Sequence, residues 1–309
     1  MKIGFFGTPE HSAELLRTLV REKYEISFAA ANPDKPQGRE RKLEFPPVKK
    51  TALELGIPVI QHISVKTEEA IRNILSYDAD IYIVFAFGSI IPRRIFDHPI
   101  GGTVNLHGSL LPEFRGASPV QAAILAGYRE TGVTLQYITE ELDAGDIISS
   151  AKVPVADDDN FQTLLDKISR SGTELILTLL KNFKGGKASA IPQDHSRATF
   201  CRKIRPEDRK LDFSRSAEEL HNQVRAFNPG NICFTSFRDK RVNVYRTRVS
   251  EKKEGRMGTF TAVDRKTPGI ICGDGRVLIL EELQLENKKV MKGLDFMNGS
   301  RPTEGEDFK

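Results

Sequence analysis

Asn105 and His107 are the two residues whose types and spacing most directly suggest chemistry. They end an apolar, β-branched segment, residues 103–107, that the sequence predicts to be a buried strand. Because side chains alternate along a strand, both residues leave the same face of it. An amide and an imidazole at the carboxyl end of a strand can hydrogen-bond an oxygen that becomes negative during a reaction. The same pair could equally be two structural polar groups, so the motif alone leaves both alternatives open.

A turn rich in carboxylates, residues 140–146, follows a second predicted strand that could lie beside the first. Its carboxylates belong to Glu140, Glu141, Asp143 and Asp146. A carboxylate next to a histidine can orient the imidazole or take up a proton. Taken alone, the turn could also be a solvated acidic loop.

Gly4 and Gly7 lie in the first predicted strand and its turn, where dinucleotide-binding proteins carry a glycine fingerprint. The spacing is not G-x-G-x-x-G, and residues 29–33, which end the second predicted strand, include no acidic residue that could hold a ribose. The glycines therefore favour a tight strand-to-helix turn, with phosphate contact as the open alternative. The missing fingerprint also argues against a nicotinamide-dependent oxidoreductase.

The elements that must position these residues alternate between strands and helices in the first part of the chain. This alternation, which ends in a long amphipathic helix over 161–180, predicts an α/β domain with a Rossmann-like, mostly parallel sheet over residues 1–184. Residues 185–205 begin with a run of Gly, Ala, Ser and Pro, and we interpret them as a linker. Residues 206–309 hold one helix, at 217–227, followed by short strand-like runs, which predicts a smaller C-terminal β-barrel of the OB-like type.

The composition is typical of a globular protein. Of 309 residues, 39% are hydrophobic and 28% are charged, and the formal net charge is +4. The three cysteines show no Cys-x-x-Cys spacing, which argues against a disulfide scaffold or a cysteine zinc site, and we expect no metal. The N-terminal residues lack the features of a secretory signal, and no apolar run approaches about 18 residues. We therefore expect a cytoplasmic monomer without membrane association.

Two segments carry an excess of basic side chains. Residues 34–50 hold six basic and three acidic residues, and residues 238–256 hold eight basic and three acidic ones. Clustered Lys and Arg fit contacts to a nucleic-acid backbone, although a solvated charged surface would have the same composition. The first segment contains Pro and Gly and few apolar residues, so we expect an irregular, exposed loop whose charges have no acidic partners.

Together, these motifs resemble those of the 10-formyltetrahydrofolate-dependent formyltransferases. The shared pattern is Asn105-x-His107-x-Ser109-Leu110-Leu111-Pro112, Arg115-Gly116, Glu130-Thr131-Gly132-Val133-Thr134 and Leu142-Asp143-x-Gly145-Asp146. Four further motifs resemble the members of the family that act on methionyl-tRNA: the loop Asn32-Pro33-Asp34-Lys35-Pro36-x-Gly38-Arg39, and the tail segments Ala217–Leu220, Arg225–Pro229 and Cys272–Gly275. The chain departs from the family at Phe114 and Phe213, where tryptophan is frequent.

The resemblance implies transfer of a formyl group from 10-formyltetrahydrofolate to the α-amino group of initiator methionyl-tRNA, for translation initiation. The amine would attack directly, without a covalent enzyme intermediate. By the family's pattern, Asn105 and His107 would hydrogen-bond the formyl oxygen. Asp143 would orient His107 and assist removal of the proton from the attacking nitrogen.

The resemblance also suggests which residues bind the two substrates. The folate would lie against the strand end and the acidic turn, in contact with Phe87, Ile91, Ser109, Leu110, Leu111, Pro112 and Glu141. We expect the acceptor end of the tRNA to be contacted by Arg39, Arg41 and Lys42. These residues lie in the basic segment 34–50, the basic loop.

Two other functions remain open at this point. A formyltransferase that acts on a nucleotide-sugar amine would share the Asn, His and Asp residues, but it would not need the basic loop or a basic barrel. A non-catalytic RNA-binding protein would explain the charge, but not the Asn-x-His motif or the acidic turn.

Overall fold

The computed structural model describes residues 1–37, 42–264 and 266–309, with only the backbone described at Gln37, Lys42 and Lys252. The strands are β1 (Lys2–Gly7), β2 (Glu25–Ala30), β3 (Lys35–Gln37), β4 (Lys42–Glu44), β5 (Val59–Ile60), β6 (Ile81–Phe85), β7 (Thr103–His107), β8 (Arg115–Gly116), β9 (Glu130–Tyr137), β10 (Ile147–Pro154), β11 (Phe200–Cys201), β12 (Cys233–Phe237), β13 (Lys240–Lys252), β14 (Phe260–Asp264), β15 (Thr267–Ile271), β16 (Arg276–Leu285) and β17 (Met291–Lys292). The helices are α1 (Glu10–Arg21), α2 (Pro47–Glu54), α3 (Glu68–Leu75), α4 (Arg93–Phe96), α5 (Pro119–Leu125), α6 (Phe161–Lys181), α7 (Ala217–Phe227) and α8 (Gly293–Ser300).

The chain forms two compact units. Unit 1 comprises residues 1–116, 131–153 and 166–200. Unit 2 comprises residues 117–130, 154–165 and 201–309. Among the described residues, none of the helices has the length and apolar character needed to span a bilayer.

A seven-stranded sheet organises unit 1, in the order β10-β9-β7-β6-β1-β2-β5. Strands β5, β2, β1, β6 and β7 are parallel, and β9 runs antiparallel to β7. Strand β6 is buried along its whole length, as expected for a parallel strand covered on both faces. The parallel strands end at a common edge, and His107 is the last residue of β7.

Aromatic side chains fill the core on one side of this sheet. The ring of Phe6 packs edge-to-face against Phe28, Tyr82 and Phe87, with centroids 5.3 to 5.4 Å apart. Gly4 is required here, because a Cβ at this position would lie 2.5 Å from the Tyr82 ring and 2.7 Å from that of Phe28. Close packing of β1 therefore accounts for this glycine.

The basic loop contains a short hairpin that the sequence did not predict. Lys35 of β3 lies opposite Glu44 of β4, and such opposite charges favour cross-strand pairing. At its base, the Lys49 ammonium is 2.7 Å from the carboxylate of Asp34, so this basic side chain does have an acidic partner. The expectation of a wholly irregular loop with unpaired charges is therefore wrong for these described residues.

Unit 2 is built on an antiparallel sheet in the order β12-β13-β16-β15-β14, with β17 beside β16. Both edges of the sheet bridge to the last residues of the chain: Phe237 of β12 pairs with Phe308, and Thr259, the residue before β14, pairs with Asp307. These bridges close the sheet into a barrel. The predicted fold class, a Rossmann-like sheet followed by a smaller C-terminal β domain, is confirmed.

Helix α7 begins where its sequence signal predicts. The hydroxyl of Ser216 accepts a hydrogen bond from the Glu219 amide, and the Glu219 carboxylate accepts one from the Ser216 amide. The Ser216 hydroxyl, which also donates to that carboxylate, lowers the pKa of Glu219 to about 2. Within unit 2, α7 packs against α5 and β13.

Candidate active site

Asn105 and His107 lie on one face of β7, at the carboxyl edge of the parallel strands. Asn105 is half-buried, and its carboxamide makes no hydrogen bond to any described residue. His107 is 5% exposed. Asn105 and His107 lie opposite Gln136 and Thr134 of β9, respectively. The pair therefore combines an amide that is free to bind a ligand with an imidazole held in the protein.

The contacts of His107 decide which of its ring nitrogens can exchange a proton. Nε2 lies 2.8 Å from the backbone carbonyl oxygen of Phe114. Because a carbonyl can only accept, Nε2 carries hydrogen and donates it to Phe114. Nδ1 faces the carboxylate of Asp143, 3.5 Å from Oδ1. Proton exchange is thereby directed to the Nδ1 side of the ring.

Asp143 is held by donors at both carboxylate oxygens. The amide of Gly116 donates to Oδ2 at 2.9 Å, and the side-chain nitrogen of Gln136 donates to Oδ1 at 3.2 Å. The side chain is only 10% exposed. These donors keep the carboxylate directed at His107 rather than at solvent.

The turn that carries Asp143 has an unusual backbone. Asp143 has φ 52°, in the left-handed region that non-glycine residues seldom adopt. Gly145 lies so close to β9 that a Cβ would overlap the carbonyl oxygen of Tyr137. The glycine of the Leu-Asp-x-Gly-Asp motif thus lets the turn fold back onto the sheet and bring Asp143 to His107.

A buried arginine and a glutamine lie behind this turn. Arg115 is 1% exposed, and its guanidinium donates to the side-chain oxygen of Gln193, with the closer nitrogen at 2.7 Å. The Gln193 amide in turn donates to the carbonyl of Gly145 at 2.7 Å and to that of Asp143 at 3.0 Å. Sequence reasoning assigned Gln193 to a linker, and no local pattern marks it as part of a site.

The predicted folate-binding residues lie in three places: the core cluster of unit 1, the loop that follows His107, and the acidic turn. Phe87 and Ile91 are buried in the core cluster of unit 1, with Ile138 packed against it. Ser109 is fully buried and donates to the Glu113 carbonyl at 2.6 Å.

Thr134 fixes the start of the following loop. Its hydroxyl donates to the Ser109 carbonyl and accepts from the Leu111 amide. Leu110 and Pro112 are half-buried in the same loop. These hydrogen bonds fix the backbone of the loop that directly follows His107.

A cleft of about 630 Å³ adjoins the acidic turn. Its walls include the apolar side chains of Phe96, Ile138 and Ala144 and the polar residues Thr139 and Glu141. Of the seven residues predicted to bind folate, Glu141 alone lines this cleft among the described residues. Its volume falls in the range of small-molecule sites, most of its lining is polar or charged, and Asn105, His107 and Asp143 lie outside that lining.

The predicted tRNA contacts are largely outside the described residues. This holds for Arg39 and Arg41, while Lys42 is described by its backbone alone, in β4. On the barrel, five of the eight basic residues in 238–256 form ion pairs with acidic residues. Lys240 and Arg241 make no ion pair to a described residue, and Arg241 lies 3.8 Å from the ring centroid of Phe234.

Two of the three cysteines, Cys233 and Cys272, are buried and offer no activated nucleophile. Burial raises the pKa of the Cys233 and Cys272 thiols to about 12. A thiol with so high a pKa is protonated and inert at neutral pH. Among the residues that the structure describes, no cluster of three or more His, Cys, Asp or Glu residues could hold a metal ion.

Comparisons with known proteins show the family of the chain. The Formyl transferase family model matches residues 1–180, and the Formyl transferase, C-terminal domain model matches residues 203–301. The chain is 49% identical to the methionyl-tRNA formyltransferase of Leptospira interrogans over 100% of both chains. It is 39% identical to that of Bacillus subtilis, over 99% of this chain and 96% of the relative.

A solved structure has the same fold. The N-formyltransferase of Helicobacter canadensis, in complex with folinic acid and dTDP-3-aminofucose, superposes with a TM-score of 0.67 at 19% identity. The match covers 93% of this chain and 100% of that one. At this identity, the likeness shows the fold alone. The family is shown by the two bacterial relatives. The chain belongs to the formyl transferase family, among the methionyl-tRNA formyltransferases.

Proposed function

We propose that this chain transfers a formyl group from 10-formyltetrahydrofolate to the α-amino group of initiator methionyl-tRNA. The observation that carries the proposal is the free carboxamide of Asn105 beside the His107–Asp143 pair, in a chain 49% identical to a methionyl-tRNA formyltransferase. Acyl transfer to an amine needs donors for the carbonyl oxygen and an acceptor for the amine's proton, and these three side chains supply them.

The first step is attack of the neutral amine on the formyl carbon. The nitrogen forms a bond to carbon, and the electron pair of the carbonyl bond moves to oxygen. Asn105 donates to that oxygen through its amide. His107 donates through Nδ1 as an imidazolium, because its other proton stays on Nε2 against the Phe114 carbonyl, and the carboxylate of Asp143 balances the charge of the ring. Donors placed where negative charge develops lower the barrier by about 3 kcal/mol each.

Collapse of this tetrahedral arrangement completes the transfer. The attacking nitrogen loses a proton, which Asp143 accepts, because both ring nitrogens of His107 already carry hydrogen. The bond from the formyl carbon to N10 of the folate breaks, and N10 takes up a proton. The products are formylated methionyl-tRNA and tetrahydrofolate, so the reaction balances without an oxidant, a metal or an enzyme-bound acyl group.

The cleft beside the acidic turn fits the folate co-substrate. A pterin is flat and apolar on its faces, with hydrogen-bonding groups around its edge. Phe96 and Ile138 offer apolar contacts, and the turn beginning at Thr139 offers backbone and carboxylate groups. The buried Phe87 and Ile91 would support this wall from the core, while the loop from Ser109 to Pro112 would close the opposite side.

We assign tRNA contacts to the basic loop and the barrel. The described hairpin leaves β2 at the same strand edge as His107, and its base is fixed by the Asp34–Lys49 pair. Arg39, Arg41 and Lys42 remain the proposed contacts to the acceptor end. On the barrel, Lys240 and Arg241 are better placed for phosphates than the five basic residues already engaged by carboxylates.

The remaining expectations follow from this function. We propose a catalytic domain over 1–184 and a tRNA-binding barrel over 206–309, joined by residues 185–205. We also propose that the protein acts in the cytoplasm as a monomer, where charged initiator tRNA and folate are available.

The decisive experiment is formyl transfer by the purified protein. Charged initiator methionyl-tRNA and a nucleotide-linked amino sugar are supplied in parallel with 10-formyltetrahydrofolate, and formylated product is quantified. Formylation of the tRNA, with at most trace reaction of the sugar amine, supports the proposal. Preferential formylation of the sugar amine would replace it with the nucleotide-sugar alternative.

A further inference from the structure

Gln193 is the most heavily hydrogen-bonded side chain behind the candidate catalytic pair. It is 5% exposed, although it comes from the segment 185–205 that the sequence predicts to be a linker. Two backbone hydrogen bonds between Ile191 and Ile147, of 2.8 and 2.9 Å, fix this segment alongside β10. Gln193 is thereby held inside unit 1, next to the turn that carries Asp143.

The two ends of the Gln193 amide have chemically distinct partners. Its oxygen accepts from Nη2 of Arg115 at 2.7 Å and from Nε at 3.2 Å. Its nitrogen donates to the carbonyls of Gly145 and Asp143 and to the side-chain oxygen of Gln136 at 3.2 Å. Because a guanidinium only donates and a carbonyl only accepts, these partners permit a single orientation of the amide.

The same polarity continues to the catalytic carboxylate. Gln136 accepts from Gln193 through its oxygen, so its nitrogen is the atom left to face Asp143, to which it donates at 3.2 Å. A directed chain of hydrogen bonds therefore runs from Arg115 through Gln193 and Gln136 to Asp143. Each donor polarises the next, which strengthens the final bond to the carboxylate.

The backbone of Asp143 needs such support. Its φ of 52° is a conformation that a non-glycine residue keeps only when surrounding contacts hold it. Gln193 donates to the carbonyls of Asp143 and Gly145, the residues on either side of Ala144, and so holds the turn at two points. Without it, the turn could relax and carry the carboxylate away from His107.

We propose that Gln193 is a positioning residue for the formyl-transfer reaction, which acts by fixing the carboxylate of Asp143 on Nδ1 of His107. The inference rests on the proposed function. It makes the predicted linker part of the catalytic machinery. Gln193 itself contacts neither the reacting atoms nor the substrates.

Gln193→Glu tests this role, because it keeps the size of the side chain and the acceptor for Arg115 but removes the donor to the turn. A displacement of about 1 Å at a reacting group can cost about 100-fold in rate, so we expect kcat to fall about 10- to 100-fold with little change in the KM of either substrate. Asp194→Asn, at the neighbouring exposed position, is the matched control and should keep wild-type kcat.

A double-mutant cycle separates positioning from general support of the fold. In the Asp143→Asn background, Gln193→Glu should lower kcat less than about 3-fold, because its effect passes through the carboxylate that is already absent. Unchanged kcat in the wild-type background, or equal losses in both backgrounds, would overturn the proposal. If the Glu variant does not fold, Gln193→Met, which is neutral and of similar length, takes its place in the same cycle.

Nitrogen-15 NMR of the His107 ring provides a readout independent of turnover. We expect the Nδ1 resonance of Gln193→Glu to move toward that of Asp143→Asn, and an unchanged resonance would contradict the proposal. If the wild-type protein transferred no formyl group, the proposed function would fail. The NMR comparison would still decide whether Gln193 positions Asp143.

Discussion

The carbonyl oxygen of Phe114 lies 2.8 Å from Nε2 of His107, and this contact assigns the hydrogen on the ring. Phe114 has φ 56°, and its amide is held by the hydroxyl of Thr199 at 2.8 Å. Nδ1 is consequently the nitrogen shared with Asp143. In the proposed reaction, the loop between β7 and β8 therefore contributes through the backbone carbonyl of Phe114.

Asn105→Ala should lower kcat about 100- to 1,000-fold, the usual effect of removing one oxyanion donor. Its stability should change by less than about 0.5 kcal/mol, because the carboxamide bonds to no described residue. His107→Ala is the contrasting variant, since it removes a buried ring and should reduce both activity and stability. Kinetics and urea unfolding of both variants check this, and a large loss of stability in Asn105→Ala would assign that residue a structural role.

The triple variant Arg39→Ala, Arg41→Ala and Lys42→Ala should raise the KM for methionyl-tRNA or lower kcat, because phosphate contacts are lost. The defect should shrink as salt rises, and folate affinity should barely change. Kinetics at two salt concentrations measure both effects. Unaltered tRNA kinetics, or a defect in folate binding alone, would remove the loop from the tRNA interface.

A matched control removes the same number of positive charges elsewhere in unit 1. This control is the triple variant Lys66→Ala, Arg72→Ala and Lys181→Ala, in which all three wild-type side chains are exposed. Equal defects in the two triple variants would mean that net charge, rather than the loop, sets tRNA affinity.

Tyr82→Phe should stabilise the protein by about 1 kcal/mol. Its hydroxyl is buried without a hydrogen-bond partner among the described residues, and burial raises the pKa of Tyr82 to about 12. Tyr137→Phe should instead destabilise by about 1 kcal/mol, because that hydroxyl accepts from the Ala188 amide at 2.7 Å. Urea unfolding of both variants checks the opposite signs, and destabilisation by Tyr82→Phe would show that its hydroxyl has a partner.

His11 should make stability depend on pH. Burial, beside the ring of Phe85, lowers the pKa of His11 to about 4 from its ordinary 6.5. The unfolded chain binds this proton first, so the contribution is complete above pH 6.5 and is lost as the pH falls toward 4. At about 1.4 kcal/mol per pH unit, the loss in the free energy of unfolding reaches about 3 kcal/mol.

The measurement is urea unfolding of wild type and His11→Phe between pH 4 and 7. The variant keeps a ring against Phe85 but cannot titrate, so its unfolding free energy should fall less steeply over that interval. Parallel curves for the two proteins would mean that other groups cause the dependence.

The sequence alone predicted those elements whose signal lies in neighbouring residues. Helix α1, over Glu10–Arg21, and helix α7 have the bounds that their apolar spacing predicts, and the strand carrying Asn105 and His107 ends at the predicted residue. The Asp143 turn was recognisable because its glycine and carboxylates form a compact motif.

Long-range contacts were not predictable in the same way. Gln193 and Asp143 are 50 residues apart in the chain, and neither composition nor periodicity predicts a contact between them. The barrel is closed by residues such as Phe308, whose pairing depends on the completed sheet. The hairpin of β3 and β4 was not predicted, because strands of three residues are too short to show an alternation of apolar and polar residues.

The most direct test of the account is single-turnover formyl transfer to charged initiator methionyl-tRNA by wild type and Asp143→Asn. Asparagine keeps the volume of the side chain but cannot accept the amine's proton, so the rate should fall about 100- to 10,000-fold in a protein with wild-type folding. Asp78→Asn, an exposed carboxylate paired with Lys2, is the control and should react at the wild-type rate. An Asp143→Asn rate within a few-fold of wild type would contradict the role of the His107–Asp143 pair.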